Sequence, residues 1–178
     1  MVIFEAEFLH NKANNYAAHL ITSNLTKMDT FIFYQSTYIP SMTYSLLVTT
    51  LDTLQLNKIQ SRSVPAILNK LRVNKHFPCS ITFGPKDLCG LALLDLSIEQ
   101  GVQQICHFMN HTFAQDTVGN MITIELHSLQ MESGSGLHLL EFPSDHVPYL
   151  TPCWLTSLHD FLAHITSSWN TLMPKSWS

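Results

Sequence analysis

Two groups of side chains in this sequence have types and spacings that could do chemistry. The first is a run of cations. Of nine lysines and arginines, six fall between residues 58 and 86: Lys58, Arg62, Lys70, Arg72, Lys75 and Lys86. No aspartate or glutamate lies in that interval. The rest of the chain holds the other three bases and all thirteen acids, so a protein of formal charge −4 keeps a local surplus of positive charge. A field of that sign attracts polyanions, and each phosphate it neutralises releases condensed counterions. His76 adds charge below about pH 6.5. Phe77 and Phe83 stand among the cations and could stack on or wedge against nucleobases. Equally, the run could be a solvated helix face and the two phenylalanines core residues.

The second group is His107 and His111, four apart on an expected helix, with Cys106 adjacent. Two imidazoles at that spacing can share a metal. The zinc-protease pattern has glutamate after its first histidine, and Phe108 stands there. No third ligand is placed by spacing, so neither a metal nor a cofactor is expected. Cys79 and Cys89 form no C-x-x-C pair and read as free thiols. There is no Gly-x-Ser-x-Gly elbow. Ser133-Gly134-Ser135-Gly136 has no Lys-Ser/Thr after it and reads as a turn, not a phosphate loop. Asn24-Leu25-Thr26 and Asn110-His111-Thr112 match the glycosylation acceptor. No basic, then apolar, leader opens the sequence, so these read as chance and the chain as intracellular, in cytoplasm or nucleus. No catalytic residue is expected.

These residues need elements to hold them. At 178 residues and 46% hydrophobic, the chain can bury one real core, and disorder is excluded as a global description. Only 12% of residues are charged, about half the usual share. Residues 30–51 carry no charge at all. Gln35, Ser36, Thr37, Pro40, Ser41 and Thr43 interrupt that run, so a buried helical hairpin is expected there rather than a membrane span. The fold expected is mainly α: a single domain of six to eight helices over residues 1–170, with a loose tail at 171–178.

Periodicity predicts a helix over 5–22 with Phe8, Leu9, Lys12, Tyr16, His19 and Leu20 on one face. Asp29 is expected to cap a second helix, Pro40 to end or kink it, and Ser41 to cap a short segment after it. Asp52 reads as the next N-cap. A break is expected at Val64, before Pro65. Residues 73–94 read as loop with one short extended piece at 80–83. A helix from Asp95 to Phe113 should bury Ile98, Val102, Ile105, Phe108 and Met109, with Gly101 inside it at a cost. Residues 117–131 fit a strand by alternation and a helix by spacing. Length favours the helix, with Gly134 as its stop, and a short β hairpin stays open. Thr151 should cap a last helix with Pro152 in its first turn and a stripe of Trp154, Leu155, Leu158, Phe161, Leu162 and Ile165.

Ordered motifs run through the basic region. They are Tyr38-Ile39-Pro40-Ser41-Met42-Thr43-Tyr44-Ser45-Leu46, Leu56-Asn57-Lys58-Ile59-Gln60, Phe83-Gly84-Pro85, Cys89-Gly90-Leu91-Ala92-Leu93 and Glu99-Gln100-Gly101. In order and spacing, residues 37–104 resemble the region just past the polymerase palm in reverse transcriptases of non-LTR retrotransposons. Leu129-Gln130-Met131-Glu132-Ser133-Gly134, Tyr149-Leu150 and Trp154-Leu155 extend the resemblance to about residue 165. The family has a Gly-Gly-Leu-Gly-Leu stretch where this chain has Cys89 and Ala92 in place of two glycines. Polymerase chemistry needs close carboxylates for two metals, and this chain has no two adjacent aspartates.

The resemblance therefore implies a thumb-like or connection segment without its catalytic palm, a fragment that is no longer an enzyme. The residual grip on an RNA or DNA template–primer duplex would fall on Lys58, Arg62, Lys70, Arg72, Lys75, His76 and Lys86. The other reading is a helical protein–protein interaction module. Its low-charge apolar faces would then be covered by another copy or another chain.

Overall fold

The computed structural model describes residues 2–134, 136, 139–141 and 149–172, with the side chains of 2–4, 141 and 167–172 left out. The protein is mainly helical. Among the described residues there are eight α-helical segments, one of them a single turn, and no strand. They are α1 (Val2–Thr22), α2 (Lys27–Phe33), α3 (Ile39–Leu46), α4 (Thr53–Lys70), α5 (Cys79–Thr82), α6 (Leu96–Ala114), α7 (Thr117–Ser133) and α8 (Trp154–Leu172). The chain divides into two compact units, Met1–Gln100 and Gly101–Ser178.

In the first unit α1 packs along α4. The buried side of α1 is Leu9, Ala13, Ala17 and Leu20, while Phe8 is exposed. The expected face is thus rotated. Two alanines without bulk let the helices approach, which hydrophobicity alone does not reveal. The uncharged stretch 30–51 supplies Tyr34, Tyr38, Met42 and Leu46 to the same core. Tyr34 and Tyr38 are stacked, with centroids 5.5 Å apart, and Tyr16 meets Tyr38 edge-on at 5.7 Å.

Buried hydroxyls need partners, and these find them. Tyr34 OH donates to the Leu94 carbonyl at 3.2 Å and accepts from the Leu94 N–H at 2.9 Å. Tyr38 OH lies 2.7 Å from Ser63 Oγ. Burial raises both phenols above the ordinary tyrosine range, and the hydrogen bonds partly oppose this.

Five local expectations in this unit are corrected. Thr26, not Asp29, caps α2. Asp29 sits three residues on and returns the bond in a capping box, its Oδ2 accepting the Thr26 N–H at 3.2 Å. Pro40 does not end the helix. A wider π turn at Tyr34–Tyr38, closed by Ile39 N–H to the Tyr34 carbonyl, carries the chain past the proline into α3. Ser41 therefore lies inside α3 and caps nothing. Likewise α4 runs unbroken through Pro65. One missing N–H costs about 3 kcal/mol, less than the packing of Ile59, Ala66, Ile67 and Leu68 returns. Residues 80–83 are not extended: Cys79–Thr82 form one helical turn. Asp52 caps α4 as expected, its N–H held by Gln55 Oε1 at 3.0 Å.

In the second unit the helix alternative holds for 117–133. Asp116 caps α7, its Oδ1 accepting the Gly119 N–H at 2.8 Å, and Gly134 ends it at φ 66°. The core gathers Ile122, Leu129, Leu139, Leu150, Leu155 and Leu158. The expected face of α6 is turned. Val102 and Met109 are exposed, while Ile105 and Phe108 pack partly against the core. Gly101 explains the rotation, since a Cβ there would lie 2.3 Å from the Phe161 ring. The residue read as a cost is the one that lets α8 approach. Thr151 does not cap α8. It bonds Glu132 instead, and the helix begins at Trp154 with Cys153 N–H held by Thr156 Oγ1 at 2.8 Å. Helix α8 includes Thr171 and Leu172, and the rest of the expected tail lies outside the described residues.

Candidate nucleic-acid interface

Helix α4 positions the first cations. Leu56, Ile59, Ser63 and Ile67 turn into the core. Lys58 and Arg62, one turn apart or about 6 Å along the axis, lie on the exposed side. Lys70 lies towards the other side. It is half-buried, and its ammonium donates to the Ser23 carbonyl just beyond α1, where a cation complements the helix dipole.

The turn after α4 gathers three more. Val73 N–H returns to the Leu68 carbonyl at 2.9 Å and Arg72 N–H to the Asn69 carbonyl at 3.0 Å, which places Arg72 at φ 60°. Glycine usually occupies such a stop. Asn74 Oδ1 accepts the His76 N–H at 2.9 Å. Arg72, Lys75 and His76 are all exposed. Lys86 is exposed too, with its ammonium 4.3 Å from the centre of the Phe31 ring, a cation–π contact.

The structure thus brings Arg72, Lys75 and His76 into one turn, at the end of the helix whose open side carries Lys58 and Arg62. It gives Lys70 and Lys86 intramolecular partners. Among the described residues, none of these seven groups pairs with a carboxylate. Phe77 and Phe83 are packed against the core of the first unit and are not laid out for stacking. Phe31, the ring that meets Lys86, has no sequence signal, because it lies far away along the chain.

The segment after α5 is tightly folded. Leu91 N–H reaches the Ile81 carbonyl at 2.8 Å, Ala92 N–H the Gly84 carbonyl at 2.9 Å, and Leu93 N–H the Thr82 carbonyl at 3.1 Å. The approach is so close that a Cβ on Gly90 would stand 2.0 Å from the Gly84 oxygen. Cys89 and Ala92 are forced to φ 61° and 49°, the left-handed region that favours glycine.

In the second unit His107 and His111 come together, with ring centres 4.3 Å apart. His111 Nδ1–H donates to Asp116 Oδ2 at 2.7 Å, and the Trp154 ring stands edge-on to His107 at 5.5 Å. Burial pushes His107 below the ordinary histidine range, and His111 adds to this. The Gly119 N–H and then His111 hold the Asp116 carboxyl below its ordinary value. Among the described residues, no three histidine, cysteine, aspartate or glutamate side chains converge on one point.

Comparison with protein-family models, with characterised proteins and with solved structures gives no match. Among the described residues, no helix is long and apolar enough to cross a membrane.

Proposed function

We propose that this chain is a non-catalytic relative of the segment that follows the palm in retrotransposon reverse transcriptases, and that it binds a nucleic-acid duplex. The observation that carries the binding is the exposure of Lys58, Arg62, Arg72, Lys75 and His76 along and just beyond one helix, with none of them in an ion pair with a carboxylate among the described residues. The observation that supports the ancestry is backbone strain. Cys89 and Ala92, the two residues replacing glycines of the family motif, are held at positive φ. A chain descended from glycine at those positions would keep that backbone.

The test is anisotropy of a labelled RNA–DNA hybrid titrated at several salt concentrations. Binding should weaken with salt by a slope of about −0.9 per phosphate neutralised. Replacing Lys58 and Arg62 together by alanine should reduce that slope by about 2. Lys70→Ala should leave the slope alone, because its ammonium is engaged with Ser23. A wild-type chain that shows no affinity at low salt ends the proposal.

One observation favours the interaction-module reading. On α6 Val102, Met109 and Phe113 share an exposed face, and on α7 Met121, Ile124 and Met131 do so. Concentration-dependent self-association on size exclusion, indifferent to added duplex, would support that reading over the first.

A further inference from the structure

The junction of α6 and α7 holds more than sequence spacing offers. We propose that His107 and His111 form a two-imidazole clamp for a divalent cation of the nickel–copper–zinc group, with Asp116 as the positioning residue. Imidazole suits these ions, and neutral histidines one helical turn apart can share one. The pair alone would be common. What distinguishes it is how each ring is held.

His111 donates Nδ1–H to Asp116 Oδ2, which leaves Nε2 as the nitrogen with the lone pair and holds the ring. Asp116 is fixed in turn. Its Oδ1 accepts the Gly119 N–H as the N-cap of α7, so its two oxygens have separate tasks. Gly119 lets the first turn of α7 lie against the end of α6, since a Cβ there would stand 2.1 Å from the His111 carbonyl oxygen. Trp154 stands edge-on to His107 and limits its swing. Both imidazoles are only half-buried, so the clamp is open to solvent and water would complete the coordination.

The experiment uses a full-length chain in which Trp169 and Trp177 are phenylalanine, leaving Trp154 as the one tryptophan. Nickel(II) is titrated under reducing conditions, so the four cysteines stay thiols, and quenching of Trp154 is followed. One ion per chain should quench it, and zinc(II) should reverse the quenching by displacement. His107→Ala and His111→Ala should each lower affinity at least tenfold. Asp116→Asn should lower it by about 10- to 100-fold. His164→Ala, off the clamp, should change nothing. Circular dichroism on each variant separates loss of a ligand from loss of fold. Well-folded His107→Ala and His111→Ala chains that quench like the parent would overturn the proposal, as would full affinity in a folded Asp116→Asn chain.

Discussion

The two compact units are held by different means. The first, Met1–Gln100, is tied by side chains that reach far along the sequence. Tyr34 and Gln60 both bond the Leu94 backbone, Gln100 donates to the Leu51 carbonyl at 3.1 Å, and Lys12 donates to the Ser41 carbonyl at 2.6 Å. The second depends on the space that two glycines leave, at Gly119 for the nearby His111 backbone and at Gly101 for the distant Phe161 ring. Buried phenols and amides make the first unit sensitive to what is removed from its core. Missing side chains make the second sensitive to what is added, a sensitivity the first shares only in the loop at Gly84 and Gly90.

Removing volume tests the first unit. Ile67, fully buried between α4 and its neighbours, should cost about 2–5 kcal/mol on replacement by alanine. Urea unfolding measures the loss, and amide exchange should quicken in α1 and α4. A cost below 1 kcal/mol would mean that the α1–α4 packing is not the main support.

Adding volume tests the second unit. Gly119→Ala should cost about 1–3 kcal/mol, because the obstacle is backbone that cannot turn aside. Gly101→Ala should cost less, because a phenyl ring can rotate and alanine favours the helix by about 1 kcal/mol. The reverse order would contradict the distinction between rigid and yielding neighbours.

Extremes of pH should separate the units. The phenols of Tyr34 and Tyr38 are raised by burial. A group raised in the folded state contributes stability below its unfolded value, and that stability is lost as pH climbs past about 10. The first unit should therefore soften in alkali. His107 and Asp116 are lowered. Their contributions are present above the unfolded values of about 6.5 and 3.9 and fade as pH falls through the folded ones. The second unit should soften in acid, first below about pH 6.5. Asp29, lowered by Thr26, gives the first unit one exposed acid-sensitive group of its own. Exchange of amides by segment at pH 5 and pH 10.5 reads this out. Equal protection losses in both units at both extremes would erase the contrast.

The smallest effects concern backbone strain. Cys89→Gly and Ala92→Gly should each stabilise the first unit by about 0.5–1 kcal/mol, the left-handed penalty less the entropy of glycine. Gln115→Gly, at φ 50° before α7, should do the same for the second. Thermal melts measure all three. Destabilisation at Cys89 and Ala92 would remove the backbone support for the proposed ancestry.

Much of this architecture can be read along the chain, and the misreadings have a common cause. Hydrophobic spacing located α1, α4, α6, α7 and α8, and a short polar residue marked a real cap at Asp52, whereas the cap at Asp116 went unread. Prolines misled where they were read as ending a helix. Pro40 and Pro65 both sit inside continuous helix because a π turn in one case and buried packing in the other outweigh one absent N–H. Glycine misled once, at Gly101, where the space left empty mattered more than the propensity lost. Among the candidate cations, sequence showed which residues carry charge and that no acid lies between them. It could not show that Lys70 and Lys86 turn to Ser23 and Phe31.

By itself, the order of residues determined the helical content, the charge asymmetry and the absence of paired aspartates, because these follow from composition and short-range spacing. Tertiary structure alone decided which helix face is inward, which cations are exposed and which have partners within the fold, and that Asp116 fixes His111 beside His107. The first two depend on groups distant in sequence meeting in space, and the third on the geometry of the turn between two helices; propensity and spacing encode neither.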